Sequence, residues 1–151
     1  MQKISPFLWF DNNAQEAMAF YTAVFPDARI TSTTPGPDGR VLTGSFELFG
    51  QEFMVLNGGP QFSFTEAISL FVRCETQAEV DDLWARLTDG GEESQCGWLK
   101  DKFGLSWQII PNALGELLGD PDREKAGRVM QAMLQMRKID IAGLQRAYDG
   151  G

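Results

Sequence analysis

At 151 residues the chain is long enough for one well-buried core and too short for two ordinary domains. Hydrophobic content of 43% with 11% aromatics excludes a disordered chain, and 13 Lys and Arg against 21 Asp and Glu leave a net charge of -8 that repels nucleic-acid phosphates. Histidine is absent, which removes the commonest general base and metal-binding imidazole.

The start, Met1-Gln2-Lys3, carries no basic segment leading to an apolar core and cleavage site, so a cytoplasmic location is expected. No apolar run approaches the roughly 18 residues that span a bilayer, so no membrane partner is expected. Residues 6–10 then form an apolar strand-like run. Asn13 followed by Glu16 is a capping box, which satisfies free amides at a helix start, and Ala17, Phe20, Tyr21 and Val24 continue at helical spacing. Pro26-Asp27 stops that helix. Residues 29–34 are rich in β-branched side chains, and Pro35-Gly36-Pro37-Asp38-Gly39 is the strongest turn signal of the chain. Residues 41–49 and 52–56 read as hairpin partners about a turn at Gly50-Gln51.

Asn57-Gly58-Gly59-Pro60 and the polar stretch to Glu66 form a joint, after which the same order recurs. Ser69-Leu70-Phe71-Val72-Arg73 is the strand, Thr76 with Glu79 the capping box, and Val80, Leu83, Trp84 and Leu87 the helix stripe, ending at Gly90-Gly91. Short strands are expected at 92–95 and 98–100, then a turn at 101–104 and a strand at 105–110. Two matches in one register imply a duplicated unit of strand, helix and three strands. The fold class is therefore α+β: two such modules form a curved mixed, mostly antiparallel sheet, with a C-terminal helical tail. A single domain is expected, with modules at 1–60 and 67–111, the joint at 61–66 and the tail at 112–151.

In the tail, residues 113–118 read as a short helix and Asp120-Pro121 as the cap and first position of the next. Ala126, Val129, Met130 and Met133 make an apolar stripe suited to the protein's own sheet or a second subunit, and Asp140 caps a last helix through Tyr148. Cys74 and Cys96 lack Cys-x-x-Cys partners and read as buried free thiols.

Three stretches carry a resemblance to a known family. They are Ala17 with Phe20-Tyr21; residues 96–104 leading into Trp107-Gln108-Ile109-Ile110-Pro111; and residues 128–136 continuing to Lys138-Ile139-Asp140-Ile141. Together they resemble the vicinal oxygen chelate superfamily of glyoxalases, extradiol dioxygenases and bleomycin-resistance proteins. Within it they are most similar to the PhnB-like branch labelled 3-demethylubiquinone-9 3-methyltransferase. The resemblance implies paired βαβββ modules, a homodimer and a small-molecule ligand. In metal-dependent members, two histidines from the first strands and two glutamates from the last strands hold a divalent ion.

Registering the copies on Phe20-Tyr21 and Leu83-Trp84 puts Pro6 and Ser69 in the histidine positions and Gln108 in that of the second glutamate, while residues 53–60 hold no carboxylate for the first. Glu47, Glu52 and Asp101 fall in separate segments without ligand spacing, so neither metal nor cofactor is expected. Strand alternation from Pro6 and Ser69 then lines a concave cavity with Leu8, Phe10, Ser69, Phe71, Arg73, Ser106, Gln108 and Ile110, leaving Phe7, Trp9, Leu70, Val72 and Trp107 beneath the helices. A small aromatic or anionic ligand, anchored by Ser69, Arg73 and Gln108, fits such a lining. The expected function is small-molecule binding on this fold without the usual metal site. Alternatives are an enzyme with an unusual site, or the methyl transfer the label implies, for which Asp11-Asn12-Asn13 stands where a glycine-rich cofactor loop would be.

Overall fold

The computed structural model describes residues 3–151, so Met1-Gln2 at the start lie outside them. Those residues form two compact units, one ending at Phe64 and one spanning Thr65–Gly151. No helix among them is long and apolar enough to cross a membrane.

The first unit runs β1 (Phe7–Phe10), α1 (Ala14–Val24), β2 (Ala28–Pro35), β3 (Val41–Leu48) and β4 (Gln51–Asn57). Its strands lie in the order β1-β4-β3-β2, with β1 parallel to β4 and the other neighbours antiparallel. The helix between β1 and β2 supplies the crossover that lets β1 enter the sheet parallel to β4. Ala14, Ala17, Met18 and Tyr21 are the buried stripe of α1. Tyr21 stacks on Phe46 at 5.7 Å, and Phe46 on Phe53 at 5.1 Å. Gly44 lies directly under the helix, where an added Cβ would stand 2.8 Å from Met18 Cε. The hairpin turns at Phe49-Gly50, one residue earlier than expected, with φ of 50° and 80°; two positive φ values in succession match the twist of the flanking strands.

The second unit repeats the plan with β5 (Ser69–Cys74), α2 (Gln77–Thr88), β6 (Glu92–Glu93), β7 (Trp98–Lys100) and β8 (Ser106–Pro111), in the order β5-β8-β7-β6. The helix turns Val80, Leu83, Trp84 and Leu87 inward, and Cys74, Leu99, Trp107 and Ile109 are buried residues on the face of the sheet that meets it. Two βαβββ modules in an α+β chain are thus present, each with its own four-stranded mixed sheet. The tail adds α3 (Asn112–Leu118), α4 (Arg123–Leu134) and α5 (Ile141–Asp149). Val129, Leu144, Leu114 and Ile139 bury themselves around Ile110, and Met133 and Met136 pack at the edge. The methionine stripe is therefore packed within the unit, except that Met130 stays 40% exposed.

Helix starts depart from the local capping reading. Thr76 and Glu79 do form a box, with Thr76 Oγ1 accepting from the Glu79 amide at 3.1 Å and Glu79 Oε1 from the Glu75 amide at 2.8 Å. Asn13 makes no side-chain cap; the Ala14 amide instead donates to Asn57 Oδ1 of β4 at 2.9 Å. In α4 the cap is Asp122, because Asp120 is occupied by the Asp122 amide and the Tyr148 hydroxyl. Asp140 likewise makes no cap bond, and the Ile141 amide donates to Gln77 Oε1 at 2.8 Å.

Candidate functional site

In the second unit, register sets which side chains share a face. Ser69 pairs with Ser106, Phe71 with Gln108 and Arg73 with Ile110, while Trp98 and Lys100 of β7 stand beside Gln108 and Ser106. These residues alternate with the buried Cys74, Trp107 and Ile109, so they form the face turned away from α2. Gln108 Nε2 donates to Ser69 Oγ at 2.9 Å, which fixes the amide across two strands. The Arg73 guanidinium carbon lies 5.3 Å from the Phe71 ring centroid and makes no ion pair among the described residues. Phe71, Arg73 and Ile110 meet Pro111, Asn112 and Gly115 around a recess of about 180 Å³. Ile110 is only 8% exposed because the tail covers it, so it serves as wall and core together. Ser106 is fully buried and lines a different recess.

The first unit corrects the expected orientation of Leu8 and Phe10. Leu8 pairs with Val55, which pairs with Gly44 beneath Met18, so Leu8 and Phe10 face α1 and are 7% and 3% exposed. Phe7 and Trp9, expected beneath the helix, occupy the opposite face with Met54, while Trp9 Nε1 donates to the Gly59 carbonyl at 2.9 Å. The cause is one residue. The connection from β1 to α1 is residues 11–13, whereas that from β5 to α2 is residues 75–76. Copies aligned on their helices are therefore out of step by one on their strands, and a one-residue slip turns every side chain over. By the same slip Ser5, rather than Pro6, corresponds to Ser69. Ser5 Oγ donates to Glu52 Oε1 at 2.6 Å.

The side chains do not fit a divalent ion. Gln108 donates to Ser69 and offers only a neutral amide oxygen, Glu52 takes the Ser5 hydroxyl, and Glu47 pairs with Arg29 at 3.3 Å. Asp101, 3% exposed, accepts from the Phe103 and Leu105 amides and from Trp107 Nε1, so it organises the turn before β8. Among the described residues no three or more Cys, Asp or Glu side chains gather as a metal would require. Burial, with the Glu79 charge behind it, pushes the Cys74 thiol up to about 12, far from the thiolate form.

Sequence reading missed a cleft of about 750 Å³ in the first unit, where the β2–β3 turn residues Gly36, Pro37 and Arg40 approach Asp11, Gln15 and Asn57. Its signal was the five-residue Pro and Gly turn, read only as a connection.

A family model for 3-demethylubiquinone-9 3-methyltransferase matches residues 2–110. Among solved structures, the PhnB protein from Bacillus cereus, which carries the same family name, is 38% identical, with a TM-score of 0.68 over 72% of this chain and 99% of that one. Protein PA1353 from Pseudomonas aeruginosa is 18% identical, with a TM-score of 0.61 over 73% of this chain and 96% of that one. The fosfomycin resistance protein FosX from Listeria monocytogenes, in its complex with Mn(II) and sulfate, shares the fold at 15% identity and a TM-score of 0.53, over 71% of this chain and 89% of that one. No curated protein matches the chain.

Proposed function

The chain belongs to the 3-demethylubiquinone-9 3-methyltransferase family of the vicinal oxygen chelate superfamily, and on that premise we propose that it binds a small, flat, anionic molecule without a metal. The site is the face of β5 and β8 turned away from α2. One observation carries this reading: Arg73 holds a guanidinium over the Phe71 ring, beside a recess, with no carboxylate paired to it among the described residues. A guanidinium presents a planar fork of donors that matches a carboxylate or phosphonate, and the exposed Phe71 ring offers a flat ligand a stacking surface. Gln108, held by Ser69, keeps its amide oxygen available to orient a donor on the ligand. Unlike FosX, whose structure holds Mn(II), this face supplies a cation through a side chain. The proposed setting is a cytoplasmic homodimer.

Calorimetry with benzoate and phenylphosphonate tests the reading. Wild type should bind one or both saturably, and Arg73→Ala should weaken binding about tenfold or more, the scale of one charge-assisted hydrogen bond. Equal affinity in the variant, or equal binding of neutral benzyl alcohol, overturns it. The family name favours a second reading, methyl transfer. Saturable binding of S-adenosylmethionine would establish that reading in place of the first.

A further inference from the structure

A second recess, of about 110 Å³, opens on the second unit and is lined in part by Glu66, Glu92, Glu93, Trp98, Lys100 and Ser106. It lies at the other end of β8 from Arg73. Ser106 and Ile110 are four positions apart on that strand, about 13 Å at the usual rise. Ser106 has no exposed surface, and its Oγ has no hydrogen-bond partner among the described residues. A buried hydroxyl left this way has given up its water without a replacement, so a polar atom placed against it recovers that loss.

The charge around the hydroxyl says what kind of atom. Three acidic residues line the recess with one lysine, but Glu93 pairs with Leu99 and turns its side chain to the α2 side of the sheet, whereas Glu92 pairs with Lys100 on the side of Ser106. Lys100 Nζ lies 3.2 Å from Glu66 Oε1, so that pair neutralises itself. Glu93 Oε1 accepts the Trp84 indole N–H at 2.6 Å, and its Oε2 is 3.8 Å from the Arg137 guanidinium. Glu92 makes no ion pair among the described residues. An anion is repelled here. A group rich in donors and positive in charge finds the carboxylate of Glu92 and the hydroxyl oxygen of Ser106 as acceptors. A primary ammonium is such a group, with three donors and no acceptor. The small volume admits a short alkyl chain and excludes a bulky cation.

We propose that this recess is a binding site for a small primary alkylammonium compound, with Ser106 as its buried acceptor and Glu92 as its counter-charge. The site is separate from the Arg73 recess and does not depend on it. The test is a titration of the isotopically labelled full chain with propylammonium chloride, followed by the amide of Ser106 and the indole N–H resonances of Trp84 and Trp98. Saturable shifts are expected in wild type and in Arg73→Ala. Ser106→Ala should weaken binding about tenfold, on the scale of a buried hydrogen bond, and Glu92→Gln, at an exposed position that leaves the fold intact, several-fold. Shifts reproduced by sodium chloride at equal ionic strength overturn the proposal, as does an unchanged affinity in both variants. Equal binding of tetramethylammonium, which has no N–H donor, also overturns it.

Discussion

Asn57 shows how much one side chain can organise. Its Oδ1 accepts the first amide of α1, while its Nδ2 donates to the Val41 carbonyl at 2.9 Å and to Gln15 Oε1 at 3.0 Å. Two strands and a helix thus meet on one amide group. Asn57→Ala should destabilise the chain by about 1–3 kcal/mol, seen as a fall in Tm of about 2–4 °C per kcal/mol on thermal unfolding. Asn57→Asp should recover part of that loss, because a carboxylate still caps the helix but cannot donate to Val41. None of this was legible in the sequence, since capping rules look three residues ahead and Asn57 lies 43 residues from Ala14. Cys74 gives a second residue-scale expectation. Iodoacetamide at pH 8 should alkylate the half-buried Cys96 and spare Cys74, whose thiol is held protonated by burial; modification of Cys74 before unfolding would contradict that environment.

Among elements, the tail is attached by polar contacts as well as by the cluster around Ile110. Gln77 at the start of α2 donates to the Ile139 carbonyl at 3.0 Å and accepts from the Ile141 amide, and Lys138 pairs with Asp81 at 2.9 Å. The Gln77 hydrogen bond, then that of Lys138, holds the Asp81 carboxyl below the usual range; the Asp122 amide, then the Tyr148 hydroxyl, does the same for Asp120. A carboxyl whose pKa is lowered by folding contributes its stability above its unfolded value, about 3.9, and loses it as pH falls through the folded value. Amide exchange in α5 should therefore accelerate below about pH 4 before exchange in β3 and β4 does. Gln77→Ala should produce that loosening already at neutral pH. The sequence revealed that these helices exist, through stripes such as Ala126, Val129 and Met133. It hid where α4 begins, because Asp120 looked like a cap while its oxygens were committed to Tyr148 and Asp122.

For the whole molecule, the duplicated order of elements was legible because each copy carries its own strand run, cap signal and helix stripe. The face of each strand was legible only in the second copy, where β5 and the helix share the register assumed. Large apolar side chains remain exposed on the first unit, Phe7 at 53%, Met54 at 37% and Phe62 at 64%. Such a patch is uncommon on a protein that stays alone in solution. We expect light scattering to give a mass about twice that of one chain, and Phe7→Glu, which puts a charge on the patch without touching the core beneath α1, to shift the species toward the monomer. A monomeric wild type across the micromolar range would contradict the homodimer.

The extra residue between β1 and α1 also decides how the two halves can exchange substitutions. A change that works at a strand position of one half has its counterpart one place further along than the helices suggest, so Arg73 corresponds to Trp9 and Phe71 to Phe7. Deleting one of residues 11–13 would shorten the connection between β1 and α1 to the length of that between β5 and α2. It would set the strand and its helix pulling on opposite parities, and Phe7 and Trp9 would be driven into space shaped for Leu8 and Phe10. The two copies are read in different frames, and that offset puts Phe7 and Trp9 on the open face of one and Phe71 and Arg73 on that of the other.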